Sequence, residues 1–548
     1  MRVDRASTIK VHSAIAKALV HHDVNTMFGL VGDANLFMVD SFIRDYGGKF
    51  VASAHEAGAT SMAIGYAAIS GTVGVATVTL GPGVTNTMTA LVEGVKGSVP
   101  SVLLCGDLPK SDLHGISNVN HRDFIVAAGA GYEELRSPET VAHDVATVFQ
   151  RAVEERRPIA LNMPVDFQWD TIEFEPVKHR ITDRRAVAPS SGDLDDAIGI
   201  IAMAKRPIIL VGRGALDPAA RKSIKRLAER TDALLATTLK AKDLFKGEPH
   251  NLGLFGTLSS NETVDAVTRS DCVVSFGASL NPYTTSYGAF LDGKRVVQIN
   301  LEHDQIARYQ QPDVGVVGDP ALVADTIVRV LDEAEIEPSG YRTEFSGQDR
   351  SDTPFIAEPA SKNKQETIDV GVALRAINDV VPQNRKFVTD GGRFLKEAWC
   401  SIDVADPNDF LHTVNYGSIG LGLPQAIGVS MYDSGRPTLL VTGDGGFMLG
   451  GLAEFNTAVR HGCDLIAVIC NDGSYGAEHV QFRDRGMDPA LSLFDWPDFA
   501  PVAISLGGAG VTVRGPEDLE KAAAAIKNRD GPLLIDIKLD PDRMPRLG

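Results

Sequence analysis

Short apolar runs alternate with helix-like segments along most of the chain, and this alternation restricts the possible fold more than any other feature. Strands and helices in such alternation form α/β units whose neighbouring strands are parallel. The pattern predicts a doubly wound parallel sheet in residues 1–180. The runs rich in β-forming residues there are VNTMFGLVG, KFVASA, VGVATVTL, VPSVLLCGD and RPIALNMPVD.

The same alternation occurs twice more. Residues 190–335 contain RPIILVGRGAL, SDCVVSFGA and KRVVQINLE, which predict a second α/β domain. Residues 366–548 contain RKFVTDGG, DFLHTVN, PTLLVTGDGG, DLIAVICND and PLLIDIKLD, which predict a third. Residues 336–365 are polar, rich in Ser, Pro and charge, and show no apolar period, so we expect an interdomain linker there. Three domains also agree with a length of 548 residues.

Charge and hydropathy exclude several classes of partner. The chain has 71 acidic and 53 Lys and Arg residues, and a net charge of −18 repels nucleic acids and anionic membranes. Apolar stretches such as 465–470 are much shorter than the ~20 residues that span a bilayer. The first residues match neither a secretory signal nor a mitochondrial presequence. We therefore expect a cytoplasmic protein that binds no nucleic acid and no membrane.

Two polar motifs follow neighbouring apolar runs in the third block. GDGG occupies residues 443–446, and NDGSYG occupies residues 471–476. The carboxyl ends of parallel strands form one edge of the sheet, where ligands bind. Carboxylate and amide oxygens suit Mg²⁺, and glycines let main-chain N–H groups approach a phosphate. Either motif alone is better explained as a turn, but the two together predict a joint site for Mg²⁺ and a diphosphate.

This pair of motifs resembles the metal-binding motif of the thiamine-diphosphate (ThDP) enzymes related to acetolactate synthase, pyruvate oxidase and pyruvate decarboxylase. The resemblance covers essentially the whole chain. It implies a pyrimidine-binding domain, a middle domain and a diphosphate-binding domain, in a homodimer or homotetramer with its sites at the dimer interface. The further segments that carry it are ASAHEAGATSMAIGYA, TLGPGVTN, VPSVLLCGD and YGSIGLGLP.

The resemblance implies that Asp444, Asp472 and the main-chain carbonyl of Ser474 hold the metal. Counting 27 residues from Asp444 selects Asn471 instead of Asp472. We prefer Asp472, because Gly450-Gly451 looks like a one-residue insertion and NDGSYG then aligns with the family's NNGTYG-type sequences. Other residues implied to contact the cofactor are Gly392, Arg393, Gly445, Gly446 and Tyr475. A contact with a substrate carboxylate is the alternative for Arg393.

The segments HEAGA and YGSIGLGLP supply the remaining cofactor contacts. By resemblance, Glu56 bonds N1′ of the aminopyrimidine and favours the imino tautomer that takes the thiazolium C2 proton. Gly417 and Ile419 would hold the aminopyrimidine edge, and the Ile419 side chain would bend the cofactor into a V. The alternatives are a paired structural carboxylate for Glu56 and a core position for Ile419.

Three residues resemble catalytic positions of 2-oxo acid decarboxylases. Asp33, in GDANL, stands 23 residues before Glu56, and Glu478 stands six residues after Asp472. The decarboxylases' adjacent histidines are missing, although His121 lies close to their position. We expect Asp33, Glu478 and His121 to be catalytic, with the two carboxyls sharing an apolar cleft. The alternatives are a helix cap for Asp33 and an ordinary surface residue for His121.

Two replacements argue against a housekeeping acetolactate synthase and against bound FAD. Residues 277–282 read GASLNP and residues 476–479 read GAEH, where that synthase carries its own signatures. The resemblance therefore favours ThDP- and Mg²⁺-dependent decarboxylation of a small 2-oxo acid. The first alternative is an acetolactate-synthase-like carboligase that takes another acceptor or a diketone. A cofactor-free scaffold or regulatory subunit, or a dinucleotide-binding oxidoreductase, fits the retained Glu56 and metal motif less well.

Overall fold

The computed structural model describes residues 7–112, 114–179, 187–345 and 366–543. The chain divides into two compact units. The first combines Met1–Ile181, Ala360–Ala398 and Leu411–Arg546, and the second combines Thr182–Pro359 with Trp399–Phe410. The predicted three doubly wound domains are confirmed, because three six-stranded sheets are present. None of the helices in the described ranges is long and apolar enough to cross a membrane.

The N-terminal domain is a six-stranded sheet of order β3-β2-β4-β5-β7-β6, with all five pairings parallel. A separate antiparallel pair joins β1 to β8. Its strands are β1 (Ser7–Lys10), β2 (Thr26–Gly29), β3 (Lys49–Ala52), β4 (Gly74–Val78), β5 (Ser101–Asp107), β6 (Gly131–Glu134), β7 (Pro158–Pro164) and β8 (Thr171–Phe174). Its helices are α1 (Val11–His21), α2 (Leu36–Arg44), α3 (Glu56–Ser70), α4 (Pro82–Thr85), α5 (Met88–Gly97), α6 (His121–Ala127) and α7 (Val141–Glu155).

The middle domain has strand order β11-β10-β9-β12-β13-β14, again in parallel pairs. Its strands are β9 (Pro207–Val211), β10 (Leu234–Thr237), β11 (Asn251–Leu254), β12 (Cys272–Phe276), β13 (Arg295–Asn300) and β14 (Val314–Val317), and its helices are α8 (Ser191–Met203), α9 (Pro218–Thr231), α10 (Asn261–Arg269) and α11 (Pro320–Glu333). Tyr341 is buried in this domain and donates its hydroxyl to the Ala266 carbonyl at 2.7 Å. Residues 346–365 of the expected linker lie outside the described residues.

The C-terminal domain has strand order β16-β15-β17-β18-β20-β19. Its strands are β15 (Lys386–Thr389), β16 (Phe410–His412), β17 (Thr438–Gly443), β18 (Leu465–Asn471), β19 (Ala509–Val513) and β20 (Leu533–Lys538). Its helices are α12 (Val370–Val380), α13 (Leu395–Ser401), α14 (Gly422–Tyr432), α15 (Asp444–Gly446), α16 (Leu452–Arg460), α17 (Gly476–Asp484), α18 (Phe499–Ser505) and α19 (Leu519–Asn528). A π-helical turn, Phe447–Gly451, joins α15 to α16. One extra residue in a helix is accommodated in this way, and this turn contains the insertion inferred at Gly450-Gly451.

The N- and C-terminal domains share one apolar core, in which α3 packs against α14. A Cβ on Gly428 would lie 1.9 Å from the Met62 carbonyl oxygen, and one on Gly65 would lie 2.2 Å from the Gln425 carbonyl oxygen. The two glycines therefore allow the helix backbones to touch. Because the later residue of α3 meets the earlier residue of α14, the helices are antiparallel. Glu56, the first residue of α3, lies at the far end of this contact, roughly 20 Å from the start of α14.

Candidate active site

Asp444 and Asp472 lie side by side at the carboxyl edge of the C-terminal sheet. Strands β17 and β18 are parallel neighbours in which Gly443 pairs with Cys470, so the residues that follow each strand meet. Both carboxyls are buried, with Asp444 2% and Asp472 9% exposed. The sequence motifs GDGG and NDGSYG thus lie together at one edge of the sheet.

The electrostatics of this carboxylate pair suit a cation. Burial and the negative charge of Asp472 raise the pKa of Asp444 to about 7. Burial also raises the pKa of Asp472, although the Ser474 N–H and hydroxyl donate to its Oδ1 at 3.0 and 2.7 Å. Oδ2 of Asp444 is buried and accepts no hydrogen bond from the described residues. A divalent cation beside the pair would favour both ionised forms, so the residues present fit Mg²⁺.

Asn471 is turned away from this pair. Its side-chain amide donates to Oδ1 of Asp536, on the adjacent strand β20, at 2.9 Å. Among the described residues, no group of three or more His, Cys, Asp and Glu side chains is arranged around one metal position. The ligand set implied by the resemblance does not need one, because the third ligand is the main-chain carbonyl of Ser474.

Glycines bring Ile419 and Tyr475 close to the carboxylate pair. A Cβ on Gly391 would lie 2.9 Å from Cγ2 of Ile419. A Cβ on Gly445 would lie 2.5 Å from the Tyr475 ring and 3.9 Å from Cδ1 of Ile419. Only glycine leaves room for the two side chains at these positions. The predicted contacts Ile419, Gly445 and Tyr475 therefore lie close together.

Asp390 and Arg393 follow β15 at the same edge. Asp390 is buried, which raises its pKa, and it accepts hydrogen bonds from the N–H of Gly420 at 2.9 Å and the hydroxyl of Thr442 at 3.1 Å. Arg393 donates to the carbonyls of Gly476 at 3.3 Å and Pro541 at 2.9 Å. Its positive charge offsets part of the rise in the pKa of Asp472 that burial causes. Arg393 thus lies beside the carboxylate pair.

Gly392, Gly446 and Gly417 complete the predicted set in this domain. Gly392 and Gly417 have positive φ values of 153° and 91°, which favour glycine. A Cβ on Gly446 would lie 2.8 Å from Oδ2 of Asp390. Gly446 is thus buried against Asp390, Gly392 is partly exposed and Gly417 is exposed.

Glu56 belongs to the other half of the molecule. Its Oε2 accepts a hydrogen bond from the Asn86 side chain at 3.0 Å. The turn before it is fixed by Glu454 of α16, whose carboxylate accepts from the N–H groups of Ala54 and His55 at 3.1 Å. Burial raises the pKa of Glu454. Glu56 is thus positioned at the carboxyl edge of the N-terminal sheet and away from Asp444.

Asp33 and Glu478 are both exposed and lie at different sheet edges. Asp33 is in the turn after β2, and the N-cap residue of α2 is Asn35, so Asp33 does not cap that helix. Glu478 lies in the first turn of α17. A cleft shared by these two carboxyls would require a second chain.

His121 is 3% exposed and both of its ring nitrogens are engaged. The Gly81 N–H donates to Nε2 at 2.9 Å, so Nδ1 carries the proton and donates to Oδ1 of Asn162 at 2.8 Å. Asn162 in turn donates to Asp107 at 2.6 Å. This network holds the TLGPGVTN turn, which carries Asn86. In the single chain His121 therefore positions main chain.

Neither Glu93 nor Glu454 was predicted from the sequence as a site residue, whereas Asp390 belongs to the segment 390–393 that contains Gly392 and Arg393. Each is a buried carboxylate that accepts main-chain hydrogen bonds near a predicted site residue. Glu93 and Glu454 bond residues more than 300 positions away, so no local spacing reveals them. The available signal is a single acidic residue within an apolar helix, as in TALVEGVKG and GLAEFNTAV.

The glycine turns of the middle domain pack against each other at the carboxyl edge of its sheet. The Gly214 N–H donates to the Gly277 carbonyl at 3.0 Å, and a Cβ on Gly212 would lie 2.5 Å from that carbonyl oxygen. The GRG segment of the sequence therefore serves main-chain packing between β9 and β12.

Three domain models of known enzymes match consecutive parts of the chain. Residues 9–127 match the N-terminal thiamine pyrophosphate (TPP) binding domain of thiamine pyrophosphate enzymes, residues 194–327 match their central domain, and residues 390–537 match their C-terminal TPP binding domain. The chain belongs to the thiamine pyrophosphate enzyme family. Thiamine pyrophosphate is ThDP, so the predicted family and cofactor are confirmed. This thiamine pyrophosphate enzyme uses ThDP for chemistry at carbon–carbon bonds.

The relatives that match nearly the whole chain include an acetyltransferase and acetolactate synthases. This thiamine pyrophosphate enzyme is 27% identical to the sulfoacetaldehyde acetyltransferase of Alcaligenes xylosoxydans xylosoxydans, over 93% of this chain and 89% of that protein. It is 26% identical to the acetolactate synthase of Mycobacterium leprae, over 99% and 89%. It is 25% identical to the acetolactate synthase isozyme 2 large subunit of Escherichia coli, over 96% and 95%.

Proposed function

We propose that this protein is a Mg²⁺- and ThDP-dependent enzyme that decarboxylates a small 2-oxo acid. The observation that carries the proposal is the buried pair Asp444 and Asp472, with one carboxylate oxygen left without a hydrogen bond. Two adjacent buried carboxyls are unfavourable without a cation. A scaffold or regulatory subunit has no use for such a pair.

The residues of the C-terminal edge would bind the cofactor from several sides. Asp444, Asp472 and the Ser474 carbonyl would hold Mg²⁺, with Asn471 kept as the alternative to Asp472. Main chain at Gly392, Gly445 and Gly446 would approach the diphosphate, assisted by the charge of Arg393. Gly417 and Ile419 would hold the aminopyrimidine, with Tyr475 packed beside them. When bound, ThDP supplies a nucleophilic carbon and an electron sink for cleavage of the bond next to a carbonyl.

Glu56 would complete the site from a second chain. Within one chain the antiparallel packing of α3 and α14 keeps Glu56 roughly 20 Å from the Ile419 end of α14. A carboxyl must reach hydrogen-bond distance of the cofactor to act on it. We therefore propose a homodimer, alone or paired into a homotetramer, in which each site combines Glu56 of one chain with Asp444 of the other.

A carboligase is the second candidate function. After CO₂ leaves, the new nucleophilic carbon takes either a proton or the carbonyl carbon of an acceptor. Both ring nitrogens of His121 are engaged in hydrogen bonds, so it is not an obvious proton donor. Asp33 and Glu478 remain the proposed acids for protonation. The similarity to a sulfoacetaldehyde acetyltransferase and to acetolactate synthases also favours transfer to an acceptor.

A panel of 2-oxo acids and cyclic diketones tests both functions. The protein is stripped with EDTA and then assayed with ThDP and Mg²⁺ added singly or together. We expect CO₂ release from at least one 2-oxo acid, and only when both are present. Product analysis then separates aldehyde release from carboligation. Cleavage of a diketone without CO₂ release from any acid would contradict the decarboxylase proposal.

The roles of Asp33 and Glu478 are tested with the same assay. If they supply the proton, Glu478→Gln and Asp33→Asn should slow aldehyde release and raise the carboligated fraction. An unchanged rate and product ratio in both variants would favour the carboligase.

We also propose that the protein carries no flavin, and a yellow preparation with flavin absorbance would contradict this.

A further inference from the structure

One buried carboxylate of the N-terminal domain reaches into the C-terminal domain of its own chain. Glu93 lies on α5 and is 1% exposed. Its Oε1 accepts hydrogen bonds from the N–H and the side-chain amide of Asn415, at 3.0 and 2.6 Å. Its Oε2 accepts from the Tyr416 N–H at 2.8 Å. Both oxygens of Glu93 thus accept hydrogen bonds from two consecutive residues of one loop.

The loop held in this way carries the aminopyrimidine contacts of the proposed function. Gly417 follows Tyr416 directly and has a φ of 91°, and Ile419 comes two residues later. At the other end, the Gly420 N–H donates to Asp390 at 2.9 Å. The segment between is therefore fixed at both ends by buried carboxylates, one from each domain.

We propose that Glu93 is a positioning residue for cofactor binding, which it achieves by fixing the Asn415–Ile419 loop of its own chain. The inference rests on the proposed function, because that function assigns Gly417 and Ile419 to the cofactor. The N-terminal domain then contributes residues to two different sites of the dimer. Glu56 serves the site on the partner's C-terminal domain, and Glu93 serves the site on its own.

The charge of Glu93 is required for this role, and not only its size. A carboxylate accepts hydrogen bonds at both oxygens, whereas a glutamine side chain would direct an NH₂ group at one of the loop N–H groups. Two donors facing each other in a buried place leave both without a partner. Glu93→Gln should therefore release one end of the loop while the volume of the side chain stays the same.

ThDP binding and hydrogen exchange test this proposal without a known substrate. By calorimetry with excess Mg²⁺, Glu93→Gln should bind ThDP at least tenfold more weakly than wild type. The amides of Asn415 and Tyr416 should exchange faster, with α5 and α14 unchanged. Asn415→Ala removes the side-chain bonds to Glu93 and to the His412 carbonyl but keeps both main-chain bonds to Glu93, so it should show a smaller loss of affinity.

Asp144 supplies the matched control in the same domain. It is a buried carboxylate that accepts from the N–H and the side chain of Arg136, at 3.1 and 2.8 Å. Asp144→Asn should lower the melting temperature and leave ThDP affinity unchanged. The proposal is overturned if Glu93→Gln binds ThDP as wild type does, or if Asp144→Asn loses the same affinity.

Mixed dimers show on which site Glu93 acts. The mixing assay uses a ThDP concentration that saturates wild type but not Glu93→Gln, so that each variant alone releases little CO₂. Glu93→Gln chains mixed with Glu56→Gln chains should then regain CO₂ release, because one site carries neither change. Glu93→Gln chains mixed with Asp444→Ala chains should not, because each site carries one. The reverse pattern would overturn the inference. The pair Glu56→Gln and Asp444→Ala is the control for the shared site: if it fails to complement, the proposed dimer is wrong, and the binding and exchange results alone decide the role of Glu93.

Discussion

The carboxyl edges of the N-terminal and C-terminal sheets differ in how deeply one chain buries their acidic side chains. At the C-terminal edge, Asp444 and Asp472 are buried and face each other. At the N-terminal edge, Asp33 is exposed and Glu56 is only partly covered. One edge therefore holds a buried carboxylate pair, which we propose binds the cation, whereas the other offers carboxyls that are at least partly exposed.

Helix packing explains the difference. Because α3 and α14 are antiparallel, Glu56 and Ile419 lie at opposite ends of the same helix contact. The carboxylate pair needs only neighbouring strands, which one chain supplies. We therefore expect substitutions at the C-terminal edge to abolish cofactor binding. We expect substitution of Glu56 to impair the reaction in the partner's site.

The largest effect is expected at the carboxylate pair. Asp444→Ala and Asp472→Ala should each lower ThDP affinity at least 100-fold in Mg²⁺, because loss of one charged ligand leaves the diphosphate charge uncompensated. Asn471→Ala should retain most of the affinity, since its amide bonds Asp536 instead. Calorimetry measures all three.

A different result would change which residues are assigned to the metal. If Asn471→Ala loses ThDP and Asp472→Ala keeps it, the metal ligand is Asn471. If Asp444→Ala retains wild-type affinity and remains folded, the C-terminal edge is not the metal site.

The next effect concerns the helix contact that separates the two edges. Gly428→Ala should destabilise the protein by about 3 kcal/mol, because overpacking against rigid main chain cannot be relieved by a side-chain movement. Its Cβ would lie 1.9 Å from the Met62 carbonyl oxygen. Gly199→Ala, in α8, is the control, because a Cβ there meets no atom within 4 Å. Thermal unfolding should show a loss only for Gly428→Ala, and equal stability would mean that α3 and α14 do not pack closely.

The smallest effect is a pH dependence of the metal-free protein. The pKa of Asp444 is about 7 in the folded chain against 3.8 normally, so the folded state holds a proton at pH 6 that the unfolded state has lost. Stability therefore falls as pH rises through 7. With EDTA, wild type should lose about 1 kcal/mol relative to Asp444→Asn between pH 6 and pH 8.

Excess Mg²⁺ should remove this difference, because a cation favours the ionised carboxylate. If the stability difference between wild type and Asp444→Asn is the same at pH 6 and pH 8, Asp444 and Asp472 do not lie close together.

The sequence predicted the elements that depend on local pattern. The strand before GDGG and the strand before NDGSYG are where the apolar runs predicted them. Seven strands of four or five residues were not predicted, because so few residues give only a weak pattern. They are β1, β6, β8, β10, β11, β14 and β19, and all but β10 lie at a sheet edge or in the two-stranded sheet. The role of Glu93 could not be predicted either, since it depends on a loop brought to it by the packing of two domains.

Subunit mixing is the decisive experiment for the proposed homodimer, in which each active site combines Glu56 of one chain with Asp444 of another. Glu56→Gln and Asp444→Ala proteins should each be inactive in CO₂ release from the 2-oxo acid found in the panel. After verified exchange in equal amounts, half of the dimers are mixed and each has one intact site, so about a quarter of wild-type activity should return. If no activity returns despite verified exchange, the proposed shared site is wrong and the whole site lies within one chain.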